Sequence, residues 1–169
     1  MMNGIHLCNQ KVLLLRSILD MDDDIKIVLS TAWRVLYESK QLADMLYRVG
    51  LGTRSCRIID RTPSSYHKKH KEQGATLNSI GYPQHRGLEI QTWLEENRGS
   101  WTDYVILDDS GDMTEQQVKH TFVQTDAWKG LTEEDCQKMC DILGLGKFVH
   151  TRKYLHTKEE IIARREKFK

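Results

Sequence analysis

Two stretches of this sequence put hydroxyls, carboxylates and guanidinium groups where phosphate and a hard metal ion could be handled. Asp108 and Asp109 are adjacent carboxylates directly after the apolar run Tyr104-Val105-Ile106-Leu107. Neighbouring carboxylates repel each other. A hard cation relieves that repulsion, because Mg²⁺ takes one or two carboxylates and completes its shell with water and phosphate oxygens. The plainer reading is that the pair caps a turn after a strand, as Asp commonly does. Ser30 and Thr31 also follow a β-branched apolar run, Ile25 to Leu29, and a second amphipathic segment begins after them. Their hydroxyls, with the N–H groups of an opening helix, suit a phosphate cradle, or an ordinary helix cap. Arg34 stands four residues past Ser30, and Arg86 opens a third amphipathic segment. Each is either a surface cation or one that faces a bound anion.

The elements that must position these groups follow from periodicity. Val12, Leu15, Ile18 and Leu19 recur at helical spacing between Asn9 and Asp20, which predicts a helix. Asp22-Asp23-Asp24 ends the pattern, and Ile25 to Leu29 reads as a buried strand. Trp33, Leu36, Tyr37, Leu42, Leu46 and Tyr47 predict one amphipathic helix closing near Gly50 and Gly52, residues suited to a helix C-terminus. Cys56 to Asp60 predicts a second strand, turned by Thr62-Pro63. Leu88, Ile90, Trp93 and Leu94 predict a helix over 86–94, Tyr104 to Leu107 a buried strand, and Phe122-Val123 a short one. Thr132 and Asp135 stand at capping-box spacing before a helix that runs to Leu143 and stops at Gly144. Strands alternating with helices imply a parallel sheet covered on both faces. Ligands bind such sheets beyond the carboxyl ends of the strands, where Ser30-Thr31 and Asp108-Asp109 both fall.

Composition narrows the partners. The 169 residues carry 25 Lys plus Arg against 24 Asp plus Glu, so gripping nucleic acid by bulk charge is not expected. No apolar run approaches the roughly 20 residues of a membrane helix, and the opening residues lack the basic start of a secretory signal. A cytoplasmic protein with no membrane partner is expected. Cys136 and Cys140, four apart, could present two thiolates to a metal, but no second Cys/His pair completes a zinc set. Reduced structural thiols are the better reading. The histidines form no HExxH pattern and read as surface residues. Residues 64–85 have no sustained period and are rich in Lys, His, Gly and Ser, which predicts a long loop or a small cap-like insert. Its His67–Lys71 cluster reads as solvated surface, with a substrate-phosphate or RNA contact as the alternative. Residues 1–150 are thus expected to form one domain and 151–169 a charged helical tail.

The order of the pieces is more specific than any one of them. IVLSTAWR (27–34), TP (62–63), RGLEIQTWL (86–94), YVILDDSGDM (104–113) and VQTDAWKGLT (123–132) resemble motifs II, III and IV of the haloacid dehalogenase-like (HAD) phosphohydrolases. Within that superfamily they resemble the small HAD domains of Swiss Army Knife RNA repair proteins. The resemblance covers most of residues 10–143. It implies an α/β fold with a three-layer Rossmann-like parallel sheet, and a Mg²⁺-dependent hydrolase of phosphate monoesters, nucleotide or RNA ends among them. In such enzymes an Asp ending the first strand attacks phosphorus to give an aspartyl-phosphate, and a second Asp two residues on acts as general acid/base. Carried across, Ser30, Thr31 and Arg34 bind the substrate phosphate. Arg86 is the catalytic cation that neutralises developing charge, and Asp108 and Asp109 hold Mg²⁺.

The resemblance fails at one place. The superfamily opens on a strand reading hhhDhDG (h, apolar), whereas the residues ahead of Ile27 already contain the helix that should follow that strand. Leu19-Asp20-Met21-Asp22 has the letters, but it ends a helical pattern only five residues before Ile27. A crossover between parallel strands needs about a dozen residues or more. Asp20 is therefore not expected to be the nucleophile, and the sheet is expected to lack its central first strand. Three outcomes are open: the neighbouring strands close up, Gly4 to Cys8 fills in, or, the favoured one, the true start lies upstream of Met1. Two functions follow. One is a phosphatase domain that is inactive as written. The other is a non-catalytic regulatory module that keeps the phosphate and Mg²⁺ pocket.

Overall fold

The computed structural model describes residues 7–64 and 86–150. The loop or insert expected at 64–85, the His67–Lys71 cluster and the 151–169 tail fall outside them, apart from Ser64. So do residues 4–6 of the makeshift strand, while Leu7 and Cys8 are described and are not strand.

Helix α1, Asn9–Leu19, lies where the apolar period put it. The single helix expected from Trp33 to Tyr47 is broken. Thr31 accepts the N–H of Trp33 and starts a 3₁₀ turn over Ala32–Val35. Glu38 is extended, and its N–H donates to Gln41 Oε1 at 2.9 Å. That cap gives α2, Ser39–Leu46, an N-terminus of its own. The apolar spacing misled because Leu36 is exposed and packs against no core. A π-helical turn, Tyr47–Leu51, follows. It is closed by Gly50 at φ 129° and Gly52 at φ 59°, backbone conformations that favour glycine.

Strand β1, Ile27–Leu29, pairs in parallel with β2, Ile58–Arg61. The expected strand at Cys56 to Asp60 starts later, because Gly52–Arg57 forms a 3₁₀ turn. After α3, Arg86–Glu96, strand β3, Ile106–Asp108, pairs in parallel with β4, Phe122–Gln124. Between them lies α4, Glu115–His120, which apolar periodicity did not indicate. Its signal was the spacing of Thr114 and Gln117, which cap each other reciprocally. Helix α5, Glu133–Ile142, has the predicted Thr132/Asp135 cap. The architecture is α/β with short parallel strands. The sheet was expected to lack its central first strand, and the described strands form two separate two-stranded sheets, β1 with β2 and β3 with β4, which do not close up into one ladder.

Two strands alone are at best marginally stable, so packing must hold these pairs in place. Leu14 and Ile18 of α1 join Val123, Leu131, Cys136, Met139 and Cys140 in one core cluster, with Leu107 packed against it. Val12 and Leu19 of the same helix join Leu51 in a second, with Ile27 and Ile58 packed against it. One helix thus covers both strand pairs. The third cluster belongs to α3, whose Ile90, Trp93 and Leu94 pack with Ile106, Val28 and Phe122. Successive strand residues point to opposite faces. Accordingly Ile27, Leu107 and Val123 go with α1, while their neighbours Val28, Ile106 and Phe122 go with α3. Among the described residues no helix is long and apolar enough to cross a membrane.

Ile18 is 1% exposed within the cluster that ties α1 to β4 and α5. Truncating such a side chain removes its transfer free energy and leaves a cavity. Ile18→Ala is expected to lower unfolding stability by about 2–5 kcal/mol in urea titration, whereas Leu88→Ala, at a 46% exposed position, changes it little.

Candidate functional site

Strands β1 and β3 end in the residues singled out by their chemistry, and α3 begins beside both. Ser30 Oγ accepts from the Thr62 hydroxyl at 3.1 Å, which ties the end of β1 to the residue after β2. The Thr31 hydroxyl is committed to the Trp33 N–H at 3.1 Å, so it is the cap of the 3₁₀ turn. Arg34, only 6% exposed, lies beneath this corner. Its Nη1 donates to the carbonyls of Ser30 (2.8 Å) and Thr31 (2.6 Å), its Nε to Thr62 O (3.3 Å), and its Nη2 to Glu89 of α3. Burial lowers the Arg34 pKa and Glu89 opposes that, while the second guanidinium, Arg86, lowers it further.

Arg86 is the first residue of α3. It touches both strand ends: Nη1 donates to the Ser30 carbonyl, and Nε lies 3.2 Å from Asp108 Oδ2. That ion pair is close but not in line, so Nε is buried without a hydrogen bond of its own. The N–H of Arg86 donates to Asp112 Oδ2 at 3.2 Å. Gly87 explains why the helix can start here. A Cβ on Gly87 would stand 2.5 Å from Gln117 Oε1 and 2.7 Å from the Thr114 nitrogen. The glycine lets α3 rest on the cap of α4, with Gln117 Nε2 donating to Gly87 O at 2.9 Å.

Beyond β3 the chain reads Asp-Asp-Ser-Gly-Asp. Asp108 Oδ1 accepts the Ser110 N–H at 2.9 Å, and its other oxygen faces Arg86. Burial raises the Asp108 pKa and neighbouring Asp109 adds to the rise, against the opposing pull of the Ser110 N–H and Arg86. Asp112 goes the other way. Burial pushes it up, but Ser110 and Arg86 outweigh burial and hold its carboxyl below the usual range. Its Oδ1 is buried with no hydrogen-bond partner. Asp112 is the residue that sequence reasoning passed over. Its signal was a third carboxylate in the same short loop, made close by Gly111.

The described residues hold no group of three or more His, Cys, Asp and Glu side chains arranged as a metal cage. This excludes no Mg²⁺ site, since Mg²⁺ keeps several waters and asks for only one or two carboxylates. Exposed Asp109, the strained ionisation of Asp108 and the unpartnered oxygen of Asp112 are donors of that hard type. The donor set fits Mg²⁺ and not zinc.

The other sequence candidates lie elsewhere. Asp20 caps the C-terminus of α1 at the opposite edge, the one from which the chain enters β1. It accepts from Arg54 at 2.6 Å and pairs with Arg16 at 3.7 Å. Cys136 and Cys140 are buried free thiols in the α1 cluster, and burial pushes the Cys136 thiol up to about 12. They fill space and are inert as nucleophiles. An open cavity of about 520 Å³ beside Gln91, Arg98, Trp101 and Gln116 includes none of Ser30, Arg86 or Asp108.

Residues 3–136 match the family model described as the HAD domain in Swiss Army Knife RNA repair proteins. No curated protein and no solved structure matches the chain.

A carboxyl whose pKa is raised by folding binds its proton more tightly in the folded chain. Its ionisation therefore lowers stability as pH rises from the ordinary carboxylate value through the raised one. Asp108 has that sign. Asp108→Asn is expected to gain stability relative to the parent as pH climbs from about 3.5 towards neutrality. Thermal melts of both proteins across that range check this. A parent that gains on the variant with rising pH would show that the Arg86 pair outweighs burial.

Proposed function

Because the chain belongs to the family of HAD domains in Swiss Army Knife RNA repair proteins, we propose that it is a Mg²⁺-dependent phosphohydrolase domain for phosphate monoesters, with nucleotides or RNA ends as substrate and a cytoplasmic setting. One observation carries the reading. Arg86 reaches the end of β1 through Ser30 and the end of β3 through Asp108, which draws the three motif-bearing elements to one edge. On the same reading the two strand pairs are halves of one three-layer Rossmann-like sheet, with α1 and α3 on its opposite faces.

The roles follow from the geometry. A phosphoryl group at this edge meets the Ser30 hydroxyl, which accepts from Thr62 and keeps its own O–H to donate to an anionic oxygen. Arg86 supplies the charge that grows in importance as negative charge develops on the transferring group. Arg34, with its donors committed to carbonyls and Glu89, and Thr31, committed to its cap, are positioning residues for that phosphate. Asp108 and Asp109 would hold Mg²⁺, one or two carboxylates being what that ion asks for, and the ion when bound would neutralise phosphate oxygens as a Lewis acid. Asp20, the aspartate with the nucleophile motif's letters, is at the wrong edge, capping α1 and paired with Arg54. That supports a second reading, a regulatory module that binds phosphate and Mg²⁺ without turnover.

Calorimetric titration of Mg²⁺ in the presence of inorganic phosphate, together with hydrolysis of an aryl phosphate, tests both. Mg²⁺ binding weakened at least about tenfold by Asp108→Asn is expected under both, with no turnover by the chain as written. Turnover would instead assign a complete enzyme and discard the module. Asp20→Asn is expected to change neither readout. Mg²⁺ affinity indifferent to Asp108→Asn would sink both readings.

A further inference from the structure

Trp128 is 98% exposed, at odds with an aromatic ring's usual place in a core or interface. The turn that carries it is locked. The Asp126 carboxylate accepts the N–H groups of both Trp128 and Lys129 at 2.8 Å. The N–H of Gly130 donates to the Asp126 carbonyl at 2.7 Å, closing an antiparallel bridge. Gly130 has φ 62°, and a Cβ there would rest on the stem of Lys11. The indole is therefore held outward by a pre-organised turn, so little ordering is needed when something stacks on it.

The turn also has a definite place. It leaves the carboxyl end of β4, where the Thr125 N–H donates to Asp108 O at 2.9 Å and Gln124 Nε2 to Asp109 O at 3.2 Å. Trp128 is three residue steps from Thr125, a reach of at most about 10 Å. Next to Trp128 in the chain, Asp126, Ala127 and Lys129 are all exposed. Protein hot spots sit within a ring of contacts that exclude water. A lone aromatic among polar groups, beside a cation, suits a flat ring with a polar rim and a nearby phosphate.

We propose that Trp128 is a stacking platform for a nucleobase of the substrate, with the substrate's terminal phosphate at the Asp108–Arg86 edge. The inference rests on the phosphohydrolase reading and narrows its substrate to single-stranded nucleotides over small base-free phosphate esters. Lys129 faces the adjoining backbone phosphate.

The test measures binding of triadenylate carrying a terminal phosphate, at either end, against an abasic ribose-phosphate trimer of the same length and charge, by quenching of indole fluorescence and by calorimetry with Mg²⁺. The parent is expected to prefer the base-bearing strand by about 5- to 100-fold. Trp128→Ala should lose that preference and Trp128→Phe should keep most of it. Equal binding of the two ligands by the parent, binding of neither, or a preference that survives Trp128→Ala overturns the proposal, as does a Trp128→Ala effect on self-association alone. Failure of the underlying reading looks different: the abasic trimer would then bind without regard to Mg²⁺ or to Asp108→Asn, whatever the base preference.

Discussion

Two guanidinium groups beneath the carboxyl edge do for this fold what backbone hydrogen bonds between the two strand pairs would otherwise do. Arg34 and Arg86 both donate to the carbonyl of Ser30. One is anchored to α3 through Glu89 and the other to β3 through Asp108. Like charges this close raise each other's energy, and the electrostatics of Arg34 register it. The arrangement holds because each cation has its own carboxylate and because both also donate to backbone carbonyls. Such a buried cluster is a weak source of net stability, since desolvation offsets much of the attraction. Its effect here is to fix geometry, for Ser30, Glu89 and Asp108 come from three different elements.

The apolar layers complete that constraint. Helix α1 divides its buried side chains between the strand pairs, Leu14 and Ile18 to one and Val12 and Leu19 to the other. At roughly 1.5–3 kcal/mol for each fully buried aliphatic side chain, this one helix contributes more than the short ladders can. Helix α3 does the same from the other side and also carries Arg86 at its first turn. The helix that welds the strand pairs thus aims the cation at their ends. Gly87 belongs to the same logic, because any side chain there would lift α3 off Thr114 and Gln117 and move Arg86 with it.

How much of this was legible in the sequence depended on the kind of signal. Buried strands with β-branched runs and the capped helix at Thr132 could be read directly, because pattern and cap chemistry are local. The interruption between Val35 and Ser39 could not, since exposed Leu36 counterfeits an apolar period. The sheet's division into two pairs had one mark, the missing first strand expected between β1 and β3; which of the possible outcomes followed depends on which strands meet, a long-range fact. Ser30, Arg86 and Asp108 were legible as candidates because they follow strands or open a helix. The commitments of Arg34 and Thr31 were not, because a guanidinium that meets carbonyls 28 residues away looks in sequence like any arginine. Asp112 was visible as a third carboxylate, but only the folded loop brings it to the N–H of Arg86.

The charges at the edge couple the two ligands of the proposed reaction. Two guanidiniums, Arg34 and Arg86, meet Glu89, Asp108 and Asp112, and Asp109 follows Asp108 in the chain, so the edge holds an excess of carboxylates over guanidiniums. A phosphate dianion arriving alone meets net repulsion, and Asp108 is already costly to ionise. On the proposed function, a divalent cation bound there would offset that excess and leave Arg86 free to favour phosphate. Each ligand would then raise the affinity of the other by the same factor, as linkage requires. Arg86 lies against Asp108 with Nε 3.2 Å from Oδ2, and that buried, unaligned Nε marks a partner held by charge rather than by hydrogen-bond geometry.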